Sequence, residues 1–219
     1  MHWRIPPQTL RPLIPASLEL ESFEGSAWLG IVPFRMTGVR LRATPNIPGL
    51  SAFAELNVRT YVTSGGKPGV WFFSLDAASA IAVAAARAWF HLPYFRARMS
   101  LEASGDEIRY QSHRTHRQAP KADLRASYQP TGKIFHAQPG TLEYFLTERY
   151  CLYAAADEKI YRGEIHHPPW PLQPARAEIA LNTMAASHGL ELPPAPPLLH
   201  FARFQDVWIW PLARLNLPL

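Results

Sequence analysis

Three polar side chains alternate along one short apolar segment, AFAELNVRTYVT, at residues 52–63. The clean two-residue period predicts a β-strand, with Glu55, Asn57 and Arg59 on the same face as Phe53 and Tyr61. A carboxyl, an amide and a guanidinium in a row can bind a polar small molecule, and arginine holds a carboxylate by two hydrogen bonds. The flanking aromatics favour an interior pocket over the alternative, a solvent-facing sheet surface.

A second candidate for chemistry lies in RAWFHLPYFRARM, residues 87–99, where a predicted helix stops and a strand starts. Pro93 cannot continue a helix, so the chain turns there and presents Tyr94 and Phe95. A phenol at this hinge can donate a hydrogen bond to a carbonyl or enolate oxygen, but its ordinary pKa near 10 makes it a poor base. The alternative for both side chains is simple core packing.

Other catalytic and metal-binding patterns are absent from the sequence. The nine histidines are dispersed without zinc-site spacing, and no G-x-S-x-G, P-loop, G-x-G-x-x-G or H-E-x-x-H motif occurs. The single cysteine, Cys151, excludes an internal disulfide and a multi-cysteine metal site, and it fits a buried thiol in a reducing compartment. We therefore expect no metal, no cofactor and a cytoplasmic location.

Composition narrows the class of partner. The chain has 219 residues, 47% of them hydrophobic, a net charge of +5 and a pI near 9.6. A basic balance favours anionic partners, but the basic residues are scattered, so we expect no nucleic acid. The longest apolar run, AIAVAAARAWF, is too short to span a bilayer and contains Arg87, so we expect no membrane partner.

The rest of the pattern predicts one domain over residues 1–219, α+β and mainly β. Strand hairpins turn at SGGKPG, SGDE and Asp157–Glu158, and AASAIAVAAARAWFHL predicts a buried main helix capped by Asp76 or Ser79. GTLEYFLTERY predicts a short helix, and ARAEIALNTMAASHG predicts another that ends at Gly189. Residues 38–51, rich in glycine, proline and asparagine, predict a long loop, and PPLLHFARFQDVWIWPL predicts two closing strands.

Several segments together resemble a known family. They are MHWRIPPQTLRPLIPASLEL, GSAWLGIVPFRMTGVR, LSAFAELNVRTYV, GVWFFSLDAASAIAVAAARAWFHLPY and HHPPWPLQPA. These segments, over nearly the whole chain, resemble the YqjF-like family of uncharacterised bacterial proteins, which is in turn similar to acetoacetate decarboxylase. The resemblance implies a closed, cone-shaped antiparallel β-barrel with a few helices packed outside.

The same resemblance implies where a site would lie. Acetoacetate decarboxylases carry a Pro-Lys-Lys hinge whose first lysine forms a Schiff base, and here Tyr94 and Phe95 stand in place of the two lysines. The chain's own lysines fall in predicted turns or loops, at Lys67, Lys121, Lys133 and Lys159. Schiff-base decarboxylation is therefore not expected. The family's glutamate on the strand before this helix matches Glu55.

We therefore expect Glu55 and Tyr94 to be the reactive pair in an interior cavity. The ligand-binding residues expected around them are Asn57, Arg59, Trp71, Phe73 and Arg98. The function expected is the binding of a small carboxylate or keto compound. One alternative is an isomerase, hydratase or lyase that uses Glu55 and Tyr94. A weaker one is a partner-binding or dimerisation module that uses the aromatic C-terminal stretch, so a homo-oligomer also stays open.

Overall fold

The computed structural model describes residues 1–38 and 52–216, and within them the chain is mainly β with a few short helices. The expected loop over residues 38–51 lies almost entirely outside the described residues. The strands are β1 His2–Ile5, β2 Glu19–Leu20, β3 Ala27–Thr37, β4 Ala52–Ser64, β5 Lys67–Ala77, β6 Tyr94–Ser104, β7 Glu107–Arg114, β8 Asp123–Pro130, β9 Cys151–Ala156, β10 Lys159–His166, β11 Gln173–Asn182, β12 His200–Phe201, β13 Trp208–Ile209 and β14 Ala213–Arg214. The α-helices are α1 Pro7–Leu10, α2 Ala80–Phe90 and α3 Leu142–Thr147.

The strands form one curled sheet. Its order is β1-β3-β4-β5-β6-β7-β8-β11-β12, with β2, β9, β10, β13 and β14 attached beside this path. The sheet is open, so the closed barrel expected from the resemblance is not confirmed. An isolated antiparallel bridge joins His2 to Leu198, just before β12, with backbone hydrogen bonds of 2.9 Å in both directions.

Tight turns set the register of the antiparallel pairs. Gly65 and Gly66 both have positive φ, the conformation that glycine adopts most easily, and they join β4 to β5 with Ser64 opposite Lys67. Asp157 and Glu158 form a similar two-residue turn, with φ of 46° and 59°, between β9 and β10. The predicted hairpins at these places, and the one at Gly105, are confirmed.

Helix α2 connects β5 to β6, which pair in parallel. Ser79 is its N-cap, because its hydroxyl accepts a hydrogen bond from the Ala82 N–H, whereas Asp76 lies inside β5 and caps nothing. The prediction of a buried helix is wrong: only Val83 is buried, and Ile81 and Trp89 are each 64% exposed. The alanines on all sides of α2 therefore belong to a helix with short side chains that lies on the outside of the sheet.

One other prediction from the sequence, a helix ending at Gly189, is wrong. The segment predicted as a helix ending at Gly189 is instead β11, which pairs with β8 and carries a bulge between Ile179 and Leu181, followed by a 3-10 turn at Ala186–His188. Gly189 does end that turn, with φ of 71°. The alternation Ala175, Ala177, Ile179 has a two-residue period as well as a helical one, and pairing with β8 decides between them.

The core has separate regions on the two faces of β4. Leu56 and Val58 pack on one face with the buried side chains of β1 and β3, while Tyr61 packs on the other with Leu75 and Tyr94. No helix among the described residues has the length and apolar character needed to cross a membrane. Strand β4, buried on both faces, carries polar residues into the interior of the molecule.

Candidate functional site

The row of polar residues on β4 faces the interior. Glu55 is 3% exposed and Asn57 is 5% exposed, and Arg59 is partly buried. The cross-strand neighbours of Asn57 and Arg59 on β5 are Leu75 and Phe72, which belong to or pack against the same apolar cluster as Tyr61. The row is therefore not a solvent-facing sheet surface.

The hinge after α2 brings Tyr94 to Glu55. His91 ends the helix in a left-handed conformation, with φ of 48°, and Tyr94 opens β6 opposite Leu75. The Arg87 side chain donates a hydrogen bond of 2.9 Å to the Tyr94 carbonyl. The Tyr94 hydroxyl donates to Oε2 of Glu55 at 3.0 Å, so the structure brings together the two residues that we expected to react.

The surroundings of Glu55 favour its neutral form. Burial raises the pKa of Glu55 to about 8, a hydrogen bond from Tyr94 opposes that rise, and the charge of Asp76 adds to it. No cation among the described residues lies within ion-pair distance of this carboxyl. Burial, with the charge of Glu55, also raises the pKa of Tyr94 well above its ordinary value. The pair can therefore hold or transfer a proton near neutral pH.

The next two residues of the row have buried polar atoms without partners. Within the part of the chain that the structure describes, neither Oδ1 of Asn57 nor Nε of Arg59 has a hydrogen-bond partner. Buried polar atoms are nearly always paired, since an unpaired one costs about 1–3 kcal/mol. Two consecutive inward positions of β4, after Glu55, thus carry polar atoms that have no partner among the described residues.

A buried ion pair supports the hinge from behind, and sequence reasoning missed it. Arg114 donates to Asp76 from Nε at 2.7 Å and from Nη2 at 2.9 Å, and both side chains are almost fully buried. The Arg114 guanidinium also lies 4.2 Å from the centre of the Phe95 ring, next to Tyr94. The only signal in the sequence is an acidic residue at the end of the strand before α2, a position that is equally typical of a helix cap.

Three expected ligand-binding residues are not brought to the row. Trp71 and Phe73 pack against a different core cluster, and they line an outer cleft of about 630 Å³ with Arg87 and His91. Arg98 is exposed on β6, where it lines a separate cavity of about 320 Å³ with His113. Neither set of described lining residues includes Glu55 or Tyr94.

Phe72, and not Trp71 or Phe73, lies opposite Arg59 on β5. Counting back from Ser64 opposite Lys67 already pairs Arg59 with Phe72, so the two-residue turn held this signal. A β-bulge then places Phe73 between the pairs Arg59–Phe72 and Val58–Ser74.

Two further features bear on chemistry. The four lysines are all outside the buried class, and Lys67 and Lys159 begin strands next to turns. Among the described residues, no group of three or more histidine, cysteine, aspartate and glutamate side chains is arranged to hold a metal ion. The expectations of no cofactor and no metal therefore stay predictions.

Solved structures of low sequence identity share this fold. Acetoacetate decarboxylase from Legionella pneumophila is 14% identical, with a TM-score of 0.63 over 99% of this chain and 83% of that one. The enduracididine biosynthesis enzyme MppR complexed with pyruvate is 13% identical, with a TM-score of 0.57 over 99% and 85%. An acetoacetate decarboxylase-like enzyme from Sphingomonas wittichii is 14% identical, with a TM-score of 0.57 over 100% and 89%. At these identities the likeness concerns the fold alone.

Sequence comparison gives a nearer relationship. The uncharacterized protein YqjF of Bacillus subtilis (strain 168) is 49% identical over 213 residues, which is 97% of this chain and 87% of that protein. The model of the DUF2071 family, described as an uncharacterized conserved protein, matches residues 1–206. The chain therefore belongs to the DUF2071 family, to which its resemblance to YqjF-like proteins had pointed.

Proposed function

We propose that this protein binds a small carboxylate or keto compound at the interior face of β4. The observation that carries the proposal is the row Glu55, Asn57 and Arg59, in which a carboxyl without a cation is followed by two polar groups with unpartnered atoms. A few convergent polar groups within apolar walls are typical of small-molecule sites. A ligand with complementary polar atoms removes the cost of leaving these groups unpaired.

The spacing of the row suggests how such a ligand lies. Residues two apart on a strand are about 6.6 Å apart, so the Cα atoms of Glu55 and Arg59 are separated by about 13 Å. Arg59 is proposed to bind the carboxylate, and Glu55, neutral near pH 7 and bonded to Tyr94, to meet a carbonyl oxygen. Because pyruvate is much shorter than the separation of the two Cα atoms, we propose that the two side chains reach toward each other over Asn57 to hold it. Support for a keto acid comes from the fold relative MppR, whose structure was solved with pyruvate.

Thermal unfolding in the presence of pyruvate and acetoacetate tests this proposal. A ligand at 100 times its Kd stabilises the native state by about 2.7 kcal/mol, which raises the Tm of a chain of this size by roughly 5–10 °C. We expect such a rise for the parent protein, and its loss in Arg59→Ala and in Glu55→Gln. The exposed Arg98→Ala variant is the control and should respond like the parent.

No Tm shift with any small carboxylic or keto acid would count against the proposal. A shift that survives both Arg59→Ala and Glu55→Gln would place the ligand elsewhere, for example in the outer cleft beside Trp71 and Phe73.

A second candidate function is catalysis by Glu55 and Tyr94 without a Schiff base, as an isomerase, hydratase or lyase. The observation that favours it is the pKa of about 8 at Glu55, which lets this carboxyl give and take a proton near neutral pH. Incubation of the protein with pyruvate in D₂O, followed by NMR, tests for this catalysis. Deuterium that enters the carbon next to the carbonyl with the parent protein, but not with Glu55→Gln, indicates proton transfer by Glu55. Binding without exchange favours a binding protein.

A third candidate is self-association through the C-terminal stretch. Trp208 is 51% exposed, and its neighbours Phe204, Ile209 and Trp210 are exposed as well. Large exposed apolar patches on soluble domains mark interaction sites, and the proposed occupant is a second copy of the chain. Light scattering after size exclusion should show a dimer, which a Trp208→Ser, Trp210→Ser double variant converts to monomer. A monomeric parent at micromolar concentration would contradict this candidate.

The proposal also covers the domain organisation and the closure of the sheet. A single domain over residues 1–219 and a closed barrel are proposed, and the support for closure is the bridge between His2 and Leu198, which links β1 to the segment leading into β12. A cytoplasmic location is proposed from the single, buried cysteine.

A further inference from the structure

The interior row continues beyond Arg59 into a group of cationic and neutral nitrogen donors. Three buried nitrogens there have no hydrogen-bond partner among the described residues: Nδ1 of His2, Nε of Arg59 and Nδ1 of His200. The His2 side chain is deeply buried, at 6% exposure. One unpaired buried nitrogen is a minor cost, but three in one neighbourhood, on cationic or potentially cationic side chains, require an explanation.

Backbone contacts place His2 next to Arg59 and bring the segment that carries His200 alongside His2. Gly30 pairs with both His2 and Arg59, and a Cβ on Gly30 would lie 3.2 Å from the His2 ring and 3.3 Å from Cγ of Arg59. His2 also forms two backbone hydrogen bonds with Leu198, two residues before His200. The absence of a side chain at Gly30 therefore lets the histidine and the arginine approach each other.

Tyr61 contacts the His2 ring, and the surroundings of this ring favour its neutral form. The Tyr61 hydroxyl lies 2.9 Å from Nε2 of His2, and the Tyr61 ring packs in the same apolar cluster as Tyr94 and Leu198. Burial lowers the pKa of His2, and the nearby charges of Arg59 and His200 lower it further, so the ring is neutral at pH 7. In the tautomer in which Tyr61 donates to Nε2, the Nδ1 atom carries the proton and is a donor without a partner among the described residues.

The charges around these donors are arranged for an anion. No carboxylate among the described residues lies within 4.0 Å of the Arg59 guanidinium, and the nearest to His200 is Glu143, at 3.8 Å from Nε2. Arg149, which stacks over Tyr61 at 5.2 Å, is paired with Glu21 and so contributes little net charge. Arg59 is thus a partly buried cation without an anionic partner in the described protein.

We propose that Arg59, His2 and His200 form an oxyanion subsite that binds the carboxylate of the ligand. This inference rests on the proposed function, which it deepens by adding two histidines to Arg59 and by assigning the position at which the carboxylate of the ligand binds. Guanidinium and imidazole N–H donors around one carboxylate satisfy the three nitrogens at once. The chemistry favours monocarboxylates, because one negative charge is matched by one arginine that has no anionic partner among the described residues.

Calorimetric titration with acetate tests the subsite separately from the rest of the row. Acetate has a carboxylate but no second carbonyl to reach Glu55, so it reports on the subsite alone. A hydrogen bond to a charged group contributes about 1.5–3 kcal/mol, so Arg59→Met and His200→Gln should each weaken acetate binding roughly 10- to 100-fold. The control variant His113→Gln changes an exposed histidine in the separate cavity beside Arg98, and it should bind acetate like the parent.

Pyruvate titrations on the same variants separate the two proposals. Pyruvate binding that weakens in Glu55→Gln but not in His200→Gln would leave the proposed function standing and overturn the subsite. Acetate binding that depends on Arg59 and His200, without binding of any keto compound, would support the subsite and overturn the proposed function. If Arg59→Met does not fold, Arg59→Lys replaces it, because lysine keeps the charge but loses the two-pronged contact. An absence of acetate binding in the parent would overturn the subsite.

Discussion

Glu55→Gln is expected to make the protein more stable at pH 9 and to leave its stability nearly unchanged at pH 4. The folded-state pKa of Glu55, about 8, lies above its ordinary value of 4.5 because the carboxyl is buried. Between these two values the unfolded chain loses the proton while the native state keeps it, so the parent's free energy of unfolding falls as pH rises. Glutamine stays neutral and removes that loss.

The size of this effect follows from the shift in pKa. One pKa unit corresponds to about 1.4 kcal/mol, so the cost of Glu55 above pH 8 is on the order of 5 kcal/mol. Urea unfolding of the parent and the variant from pH 4 to pH 9 measures it, as a gap that opens between about pH 4.5 and pH 8. The control is Glu102→Gln, at an exposed position of β6, for which the two curves should run together.

If the unfolding free energies of the parent and Glu55→Gln changed in parallel across this pH range, the Glu55 carboxyl would be solvated. Glu55 could then not act as a neutral acid in an interior site. The predicted gap would instead mean that the protein retains a destabilising group in its core. Such a cost is common at functional sites, where groups are kept for chemistry at the expense of stability.

Asp76→Asn is expected to lower the free energy of unfolding by about 3–5 kcal/mol at pH 7, because it leaves the buried Arg114 without a counter-charge. The two side chains make a two-pronged contact, at 2.7 and 2.9 Å, inside the protein. Burial raises the pKa of Asp76, but the hydrogen bond and charge of Arg114 oppose that rise. Asparagine keeps the shape of the side chain, so the measured loss reports on charge.

Denaturant unfolding of Asp76→Asn, together with two comparison variants, measures this contribution. Asp106→Asn removes one partner of the exposed pair with Arg203 and should change stability little, since exposed pairs contribute little. The double variant Asp76→Leu, Arg114→Met should recover most of the loss, because apolar replacement of both partners avoids an unpaired charge. A loss in Asp76→Asn no larger than that of Asp106→Asn would contradict the assignment.

The ion pair also bears on the site. Arg114 stacks on Phe95, and Tyr94 is held at Glu55 by the strand that Phe95 belongs to. Asp76 also lies directly opposite Leu56 on β4 and next to Leu75, which pairs with Tyr94. The pair is therefore a positioning element for the hinge, and ligand binding in folded Asp76→Asn protein should weaken along with stability.

Local patterns in the sequence were enough for most strands and turns. The two-residue alternation of β4, the Gly65–Gly66 turn and the proline stop before Tyr94 each act over a few neighbouring residues, so their outcome does not depend on distant contacts. The alternation also placed Glu55, Asn57 and Arg59 on one face, and the hinge pointed to Tyr94. Family membership, too, was readable from short segments spread along the chain.

The tertiary structure alone decided which residues of distant elements contact each other. Nothing in the sequence shows that Arg114 pairs with Asp76 or that His2 approaches Arg59, because these contacts join strands far apart in the chain. Whether the Glu55 row is buried depends on which core covers it, and Trp71 and Phe73 fell outside the row because pairing with β4 fixes their face. The segment after Gln173 had both a helical and a strand period, and only its pairing with β8 made it a strand. Sequence alternation thus assigns residues to a face, whereas the packing of distant elements determines what that face contacts.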